Sequence, residues 1–329
     1  MSVLERLEVP IVLAPLAGGP STPELAAAVC DGGGLGFVAG GYLTAAALEE
    51  RIRALRELTR RPFGVNLFVP GPASPPETYS EYTRGLGEPR FHDDDWDAKL
   101  ALMERAKPDV VSFTFGCPSR DELSRMGEAW VTVTSPGEAA LALAAGADGL
   151  VVQGSEAGGH RGVFADAPGI TQYGLLPLLQ LIETSKPLIA TGGIATGAAV
   201  AAVLSAGAAA AQVGTAFLRA PEAGTAAAHR EALATTRETG LTRAFTGRLA
   251  RGIRNRFMDE HPDAPVAYPE IHFATAPMRA EARQRGDAEA INLWAGEAHA
   301  LAQEKPAAEI LAELAAGARE ALARAEKRL

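Results

Sequence analysis

The sequence predicts an α/β fold, a (β/α)₈ barrel with a helical lid or C-terminal subdomain. Short runs of apolar and β-branched residues recur along the chain, and each is followed by a stretch rich in Ala, Leu, Glu and Arg. Short apolar strands that alternate with helices indicate βαβ units and a parallel sheet. Eight strands in this rhythm favour a closed barrel over an open doubly wound sheet.

The strand and helix patterns alternate in order from the N-terminus. The predicted strands are Ile11–Pro15, Gly34–Ala39, Phe63–Phe68, Val110–Phe115, Trp130–Thr134, Gly149–Gln153, Leu188–Thr191 and Ala211–Gly214. The clearest helical patterns between them are Pro23–Asp31, Ala45–Thr59, Pro136–Ala145, Leu175–Thr184 and Gly197–Ala206. Gly closes several of these helices just before the next strand, as a left-handed C-cap requires.

Two segments interrupt this alternation and define the predicted domains. Residues 1–220 form the barrel core, with a Pro-, Gly- and acid-rich insertion at 70–96 after the third strand. From Pro221 the pattern becomes helical, and we interpret 221–294 as a helical lid or subdomain over the barrel mouth. The C-terminal helices of 295–329 are expected to pack back onto the barrel.

Composition and charge exclude several classes of protein. Hydrophobic residues make up 47% of the chain and charged residues 22%, as in soluble globular proteins. A net charge of −9 argues against a nucleic-acid partner. Two cysteines give neither a disulfide framework nor a zinc spacing, so no metal is expected and a cytoplasmic location is the default. No apolar run reaches membrane-spanning length, and the N-terminus lacks the apolar core of a signal peptide.

The loops after the seventh and eighth predicted strands favour a phosphate site. The first is Thr191-Gly-Gly-Ile-Ala-Thr-Gly197, and the eighth strand ends in Gln212-Val-Gly-Thr-Ala-Phe217. Glycines let backbone N–H groups approach an anion closely, and these two loops are the usual phosphate site of such barrels. The candidate residues are Gly192, Gly193, Gln212, Val213, Gly214 and Thr215.

The loop Gln153-Gly-Ser-Glu-Ala-Gly-Gly-His160 follows the sixth strand, at the end of the barrel where active sites lie. An amide such as Gln153 both donates and accepts, which suits the edge of a cofactor ring. His160 is either an ordinary satisfied histidine or a catalytic one, and its position on a Gly-rich loop favours the second. Glu156 is either a partner carboxylate or a residue that braces the loop or faces solvent.

Two other residues at strand ends have competing interpretations. Asn66, at the end of the third strand, is either a polar cap of the barrel or a cofactor contact, and its position favours the contact. Cys117 follows the fourth strand and could pass for a nucleophile. No nearby feature of the sequence would lower its pKa, so we interpret it as a small apolar residue.

Taken together, these segments resemble the nitronate monooxygenases, formerly called 2-nitropropane dioxygenases. The matching segments run in order from about Val9 to Phe217, and Leu293-Trp-Ala-Gly296 resembles the family's C-terminal motif. They are Ala14-Pro-Leu-Ala-Gly-Gly19, Gly33-Gly-Leu-Gly36, Gly64-Val-Asn66, Ser112-Phe-Thr-Phe-Gly116, Gln153–His160, Thr191-Gly-Gly-Ile194 and Gln212-Val-Gly-Thr215.

The resemblance implies a TIM barrel that binds FMN non-covalently. Ala14, Pro15 and Leu16 would lie along the flavin, and Asn66 and Gln153 would bond its polar groups. The phosphate would be held by Gly158, Gly193 and Gln212–Thr215. His160 would be the catalytic residue and would face the substrate with Ser112 and Phe113. The family's Pro-Met is Pro15-Leu16 here, which leaves FMN binding intact and puts only the tuning of the flavin in doubt.

The reaction implied is oxidation of an alkyl nitronate with O₂ to a carbonyl compound and nitrite, a detoxification of nitroalkanes. His160 would hydrogen-bond the nitro oxygens. In members that accept neutral nitroalkanes, it would also remove the α-proton, which suits an imidazole pKa near neutrality. The expected partners are therefore a small-molecule substrate and O₂, and the chain would be a monomer or a homodimer.

Two alternatives stay open at the level of sequence. A flavin-dependent enoyl-acyl-carrier-protein reductase, or another NAD(P)H-dependent FMN oxidoreductase, would share the barrel and the Glu-Ala-Gly-Gly-His segment. Against the reductase, Gln153 stands where that group tends to carry Glu. A non-catalytic flavin or phosphate binder on a degenerate barrel is the second alternative, and the intact His160 argues mildly against it.

Overall fold

The computed structural model describes residues 2–328, and eight parallel strands form its central barrel. The sheet order is β1-β9-β8-β6-β5-β4-β3-β2, and Val12 and Leu35 of the two outermost segments form a parallel bridge. Leu13 N–H donates to Leu35 O at 2.8 Å, and Leu35 N–H donates to Ile11 O at 3.0 Å. These bonds join the two edges, so the predicted (β/α)₈ barrel is confirmed.

Every predicted barrel strand is present, with bounds that differ by at most two residues. The barrel strands are β1 (Ile11–Leu13), β2 (Gly36–Ala39), β3 (Phe63–Phe68), β4 (Val110–Thr114), β5 (Ala129–Val133), β6 (Gly149–Gln153), β8 (Leu188–Thr191) and β9 (Ala210–Val213). A separate antiparallel sheet has the order β10-β11-β7 and contains β7 (Gly159–His160), β10 (Thr239–Thr242) and β11 (Ala250–Ile253).

The helices surround the barrel and cover one of its ends. They are α1 (Pro23–Asp31), α2 (Ala45–Leu58), α3 (Pro76–Tyr79), α4 (Trp96–Ala106), α5 (Arg120–Ser124), α6 (Pro136–Ala145), α7 (Leu175–Leu181), α8 (Gly197–Ser205), α9 (Ala227–Leu233), α10 (Arg256–Glu260), α11 (Glu270–Arg285) and α12 (Ala307–Glu326). Hydroxyl N-caps begin several of them by accepting a backbone N–H of the first turn: Thr22, Thr44, Ser119, Ser135 and Thr196.

The barrel interior is divided into an apolar lower layer and a polar upper layer. Strand side chains alternate between the two faces of a sheet, so every second residue points inward. The lower layer is fully buried and contains Val12, Leu35, Phe37, Val110, Trp130, Val151, Ile189 and Ala210. One step further along the strands come Asn66, Ser112, Thr132, Gln153, Thr191 and Gln212. The barrel therefore carries its polar groups at the carboxyl ends of its strands.

The segment 221–294, predicted as a helical lid or subdomain, contains two strands in addition to its helices. β11 pairs with β10 on one side and with β7 on the other, and Ala250 lies opposite His160. Strand formation here depends on a partner about ninety residues earlier in the chain, and local sequence carries little of that information.

The 70–96 insertion packs against the later segment and against the barrel. Tyr82 donates its hydroxyl to Ala244 O at 2.6 Å, and Gly87 N–H donates to Ala274 O at 2.7 Å. At its end, Asp94 accepts from Tyr42 N–H at 2.9 Å and forms an ion pair with the buried Lys99. The insertion is thereby fixed over the same end of the barrel as α11.

The C-terminal helix lies on the outside of the barrel. α12 packs against α8 and α1. A Cβ on Gly197 would lie 2.4 Å from the carbonyl carbon of Gly317, so the two backbones approach too closely for a side chain. No helix in residues 2–328 is long and apolar enough to span a bilayer.

Candidate active site

A cavity of about 320 Å³ opens at the carboxyl end of the barrel strands. Its floor is the polar upper layer of the barrel interior. Its walls come from the loops after β1, β6, β8 and β9, from α11, and from residues 291–296. A cleft of this size at this end of a barrel suits a cofactor and a small substrate.

Most of the residues singled out from the sequence line this cavity. They are Ala14, Pro15, Leu16, Asn66, Ser112, Gln153, Gly158, His160, Gly192, Gly193, Gln212, Gly214 and Thr215. The parallel strands bring them together because all of their carboxyl ends meet at one rim. Their assignment to cofactor or substrate stays a prediction.

Two of the predicted residues do not line the cavity. Ser112 and Thr114 of β4 point inward, and Phe113 between them points outward, where its ring contacts Trp96 at a centroid distance of 6.0 Å. The Val213 side chain is likewise buried outside the barrel between the inward Gln212 and Gly214. Both placements follow from the two-residue period of a strand, and the proposed roles of Phe113 and Val213 stay predictions. Phe115, with a left-handed φ of 80°, is the aromatic residue of this segment that reaches the cavity.

The glycine loops after β8 and β9 present unused backbone donors. Among residues 2–328, hydrogen bonds to protein acceptors are absent for the N–H groups of Gly192, Gly193, Gly214 and Thr215. Gly192 and Gly193 have φ of 122° and 67°, which few other residues adopt. A Cβ on Gly214 would meet Ala14 Cβ at 3.2 Å, so a side chain there would fill the cradle. These features suit a bound phosphate.

The two amides at the barrel rim are held by neighbouring residues. Asn66 Nδ2 donates to Ser112 Oγ at 2.9 Å and lies 3.0 Å from Thr114 Oγ1. Gln153 Nε2 donates to His160 O at 3.1 Å, and its Oε1 accepts from Gly162 N–H at 2.8 Å. Gln153 therefore closes the loop that carries His160, and its amide keeps one hydrogen for a ligand.

Two charged residues brace the same loop from behind. The guanidinium of Arg161, which is 1% exposed, donates to the carbonyls of Gly154 and Gln153. Both carboxylate oxygens of Glu156 accept from Leu175 N–H at 3.1 Å, at the first residue of α7. An anion at a helix N-terminus satisfies a free donor and interacts favourably with the helix dipole. The structure thus favours the loop-bracing role of Glu156.

His160 lies among aromatic rings at the centre of the cavity wall. Its ring centroid is 5.4 Å from that of Trp294, 5.7 Å from Phe115 and 5.9 Å from Tyr268. Its Nε2 lies 2.9 Å from the hydroxyl of Thr246, in the turn between β10 and β11. The β7–β11 pairing therefore places this ring by backbone hydrogen bonds as well as by packing.

The surroundings of His160 disfavour its protonated form. Burial, followed by the positive charges of Arg248 and Arg279, lowers its pKa from 6.5 to about 3. This pKa lies below the near-neutral value that the sequence suggested for the imidazole. The ring is neutral at pH 7, and it gains a proton only where a new negative charge offsets the cost.

Two arginines of α11 line the cavity, and in the described chain none of their hydrogen-bond partners is a carboxylate. Arg279 is 4% exposed and donates to Thr275 Oγ1, His272 O and Asn292 Oδ1. Arg283, one turn later, donates to the same Asn292 Oδ1 at 3.0 Å. Burial and the neighbouring Arg283 lower the pKa of Arg279 to about 10, so both remain charged at pH 7.

A third guanidinium lies behind His160. Arg248 is stacked over Phe115 at 4.0 Å from the ring centroid and donates to the carbonyls of Arg161 and Val163. The cavity wall therefore carries positive charge within a chain whose net charge is −9. Such a wall attracts anionic ligands and disfavours cationic ones.

Several cavity residues had no assigned role at the level of sequence. His229 and His272 stand in segments without a strand rhythm, yet both line the cavity, as do Arg279, Arg283 and Trp294. Burial lowers the pKa of His229 to about 4, and its Nε2 bonds Trp294 O at 3.1 Å. The Leu293-Trp-Ala-Gly296 motif was the one available signal, because it marks a stretch that returns to the site.

The comparisons with known proteins agree with this geometry. The family model described as nitronate monooxygenase matches residues 2–317. The nitronate monooxygenase of Pseudomonas aeruginosa is 42% identical, covering 94% of this chain and 95% of the relative. That of Paraburkholderia phytofirmans is 38% identical, covering 94% and 92%.

Two solved structures are also similar. A nitroalkane oxidase from Streptomyces ansochromogenes superposes with a TM-score of 0.95 at 45% identity, covering 98% of this chain and 99% of that one. FabK from Thermotoga maritima superposes less closely, with a TM-score of 0.76 at 28% identity, covering 99% and 97%. The family model and the relatives together assign the chain. It belongs to the nitronate monooxygenase family of oxidoreductases.

Proposed function

We propose that this protein is an FMN-dependent nitronate monooxygenase that oxidises alkyl nitronates with O₂ to carbonyl compounds and nitrite. The observation that carries the substrate class is the positive wall beside a neutral His160. Arg279 and Arg283 face the cavity with no carboxylate among their described hydrogen-bond partners, and an anion would supply the missing negative charge. A nitronate is such an anion, whereas an enoyl thioester and a nitroalkane are uncharged at their reacting atoms.

The glycine cradle supports FMN as the cofactor. Its phosphate would accept hydrogen bonds from the free N–H groups of Gly192, Gly193, Gly214 and Thr215. Asn66 and the remaining amide hydrogen of Gln153 lie at the barrel rim, where a flavin ring would extend towards His160. Gly158 lets residues 295 and 296 pack closely against the loop after β6, because a Cβ there would overlap their backbone atoms.

These positions indicate which part of the reaction each group would carry out. Bound FMN would supply the electron-accepting chemistry, and O₂ would complete the cleavage to a carbonyl compound and nitrite. Arg279 and Arg283 attract the nitronate, and the buried guanidinium of Arg279 would stabilise its charge within the cavity wall. His160 orients the nitronate and, with a neutral nitroalkane, accepts its α-proton.

The experiment that tests the function is steady-state oxygen uptake by FMN-loaded protein with alkyl nitronates of increasing chain length. We expect uptake with nitrite released in parallel, and bleaching of the flavin absorbance when the nitronate is added anaerobically. Neutral nitroalkanes at matched concentrations measure whether proton removal also occurs.

The same assay separates the alternatives. Rapid NADH oxidation stimulated by enoyl thioesters, without nitronate-dependent uptake, would favour the reductase. An FMN-loaded protein that neither takes up oxygen nor loses its flavin absorbance with any nitronate would contradict the proposal. A cytoplasmic location and a monomeric or homodimeric state stay predictions from the sequence.

A further inference from the structure

Thr246 lies outside every motif found in the sequence, yet its hydroxyl touches the central histidine. It is 1% exposed and belongs to the turn between β10 and β11. Its Oγ1 makes three contacts: 2.9 Å to His160 Nε2, 3.2 Å to Arg248 O and 3.3 Å to Arg248 N. Three polar neighbours use all the hydrogen-bonding capacity of this buried hydroxyl, which has one proton and two lone pairs. The position of its proton can therefore be deduced.

A proton count assigns these contacts. The carbonyl of Arg248 can only accept, and the N–H of Arg248 can only donate. If Thr246 donates to Arg248 O, then Nε2–H of His160 and N–H of Arg248 both donate to Oγ1, and all three contacts are satisfied. If Thr246 donates to Nε2 instead, Arg248 O faces a second oxygen lone pair with no proton between them. Buried polar groups rarely remain unpaired in that way.

The other ring nitrogen of His160 is therefore the one without a proton. Within residues 2–328, Nδ1 has no hydrogen-bond partner, and it is absent from the buried polar atoms that lack one. Since His160 lines the cavity, Nδ1 is open to a ligand there.

We propose that Thr246 is a positioning residue that holds His160 in the tautomer protonated at Nε2, so that Nδ1 presents a lone pair to the substrate. The assignment of the tautomer rests on geometry alone. Only its catalytic consequence rests on the proposed function.

The consequence concerns the neutral nitroalkanes. An α C–H bond breaks, its proton forms a new N–H bond at Nδ1, and the electron pair moves into the C–N bond and onto the nitro oxygens. The products are a nitronate anion and an imidazolium. The new Nδ1–H then donates to a nitronate oxygen while Thr246 continues to accept from Nε2–H. Because both charges form together, the net charge beside Arg248 and Arg279 does not change.

The opposite tautomer would not support this step. A ring protonated at Nδ1 would present a donor to the substrate and could not accept its proton there. In a catalytic triad, enforcing the wrong histidine tautomer lowers kcat by about 10⁴-fold. Valine at position 246 would leave both tautomers accessible rather than enforce the wrong one, so we expect a smaller loss.

The test combines ¹⁵N NMR of histidine-labelled, FMN-loaded protein with substrate kinetics. His160→Asn identifies the His160 signals by their absence. In the wild type we expect a protonated Nε2 and a bare Nδ1. In Thr246→Val we expect the His160 signals to shift towards a mixture of tautomers. We also expect kcat/KM for a neutral nitroalkane to fall about 10- to 100-fold, while turnover of a supplied nitronate, which needs no proton removal, changes by less than about threefold.

Two variants control for loss of structure. Thr246→Ser keeps the hydroxyl and should restore both the tautomer and the nitroalkane activity. Thr242→Val removes another buried hydroxyl at the end of β10, next to this turn. It accepts from Ala244 N–H at 3.0 Å, and its loss should leave His160 unchanged.

Three results would overturn the inference: an Nδ1-protonated ring in the wild type, an unchanged tautomer and selectivity in Thr246→Val, or equal losses in Thr246→Val and Thr242→Val. If the protein oxidises neither substrate but the tautomer still changes in Thr246→Val, the proposed function fails and the positioning role of Thr246 stands.

Discussion

On one side of the cavity the backbone of two glycine loops faces the opening, whereas on the other side charged and aromatic side chains face it. The first side follows β8 and β9 and offers N–H groups fixed by the barrel. The second is assembled from the β7–β10–β11 sheet, from α11 and from residues 291–296. Backbone donors suit a ligand that every member of a fold shares, whereas side chains can differ from one enzyme to another.

The two sides of the cavity should respond differently to substitution. A substitution on the glycine side should reduce cofactor retention whatever the substrate. A substitution on the side-chain wall should change substrate preference while the cofactor stays bound. Each of the four predictions below tests one part of that contrast, and they run from the largest expected effect to the smallest.

His160→Asn tests the side-chain wall most directly. Removing a general base typically costs 10²–10⁴-fold, so we expect a loss of about that size in kcat for neutral nitroalkanes. Turnover of supplied nitronates should persist at least in part, and FMN content should not change. The measurement is oxygen uptake with paired nitroalkane and nitronate substrates. Undiminished nitroalkane turnover would remove His160 from the mechanism.

Gly158→Ala tests the packing beside the proposed cofactor site, where the loop after β6 meets residues 295 and 296. A Cβ at this position would lie 2.4 Å from backbone atoms of Ala295 and Gly296, which must then move. Overpacking of this kind costs about 1–3 kcal/mol. Because Gly296 lines the cavity, we expect its displacement to narrow the cofactor site and to raise the Kd for FMN by about 10- to 100-fold. Fluorescence titration with FMN measures it.

The matched control for that substitution is Gly137→Ala in α6. Its added Cβ would meet only Ser135 Oγ, at 3.9 Å. Alanine is the better helix former, so stability should hold or rise slightly and FMN affinity should not change. Equal FMN affinities for the two variants would show that the space beside Gly158 does not matter to the cofactor.

Arg283→Gln tests the charge of the wall, because glutamine removes the positive charge and keeps an amide donor at this position. Hydrogen bonds to charged groups contribute about 1.5–3 kcal/mol, and solvent screening at this exposed position reduces that value. We expect KM for a nitronate to rise about 10-fold, while KM for the neutral nitroalkane changes little.

Arg285→Gln is the control for this variant. It removes a solvent-exposed arginine of the same helix turn, which pairs only with the exposed Glu281. Parallel increases of both KM values in Arg283→Gln, or an equal effect of Arg285→Gln, would contradict a local role for the charge.

The buried histidines of the wall should make the fold sensitive to mild acid. Burial, the first cause in each case, lowers the pKa to about 3 for His160 and to about 4 for His229, and it lowers that of His272 well below 6.5. Below about pH 6.5 the unfolded chain binds protons that the folded chain does not, so the free energy of unfolding falls as the pH falls.

Each such histidine contributes up to about 1.4 kcal/mol per pH unit between the unfolded pKa and its own folded pKa. Urea unfolding at several pH values between about 7 and 4.5 measures the slope. In His160→Asn the slope should decrease by about one histidine's share. A slope identical to that of the wild type would show that His160 titrates normally in the folded protein.

The sequence predicted the barrel and the glycine side well, for a local reason. Strand length, glycine at the turns and the polar residues Asn66, Gln153 and Gln212 are set within single βα units. The carboxyl ends of the parallel strands then meet at one end of the barrel, whatever the sequences of the individual loops. Phe113 and Val213 do not line the cavity, because the alternation of inward and outward side chains along a strand brings only every second side chain into it.

The side-chain wall could not be predicted from the sequence in the same way. Thr246, Arg279 and Trp294 lie in segments without a repeating pattern, and they reach His160 because β11 pairs with β7 and α11 crosses the mouth. The lowered pKa of His160 has the same origin. Its causes are burial and two arginines that follow it by more than eighty residues.

By itself, then, the sequence determined a (β/α)₈ barrel with a glycine-rich rim, a histidine on the loop after β6 and a likeness to the nitronate monooxygenases. Only the tertiary structure decided which nitrogen of that histidine is committed, which charges surround it and that Glu156 serves as a brace. The physical reason is that local patterns fix backbone conformation and the direction of strands. The protonation and electrostatics of a side chain depend on groups distant in sequence that folding brings within a few ångströms.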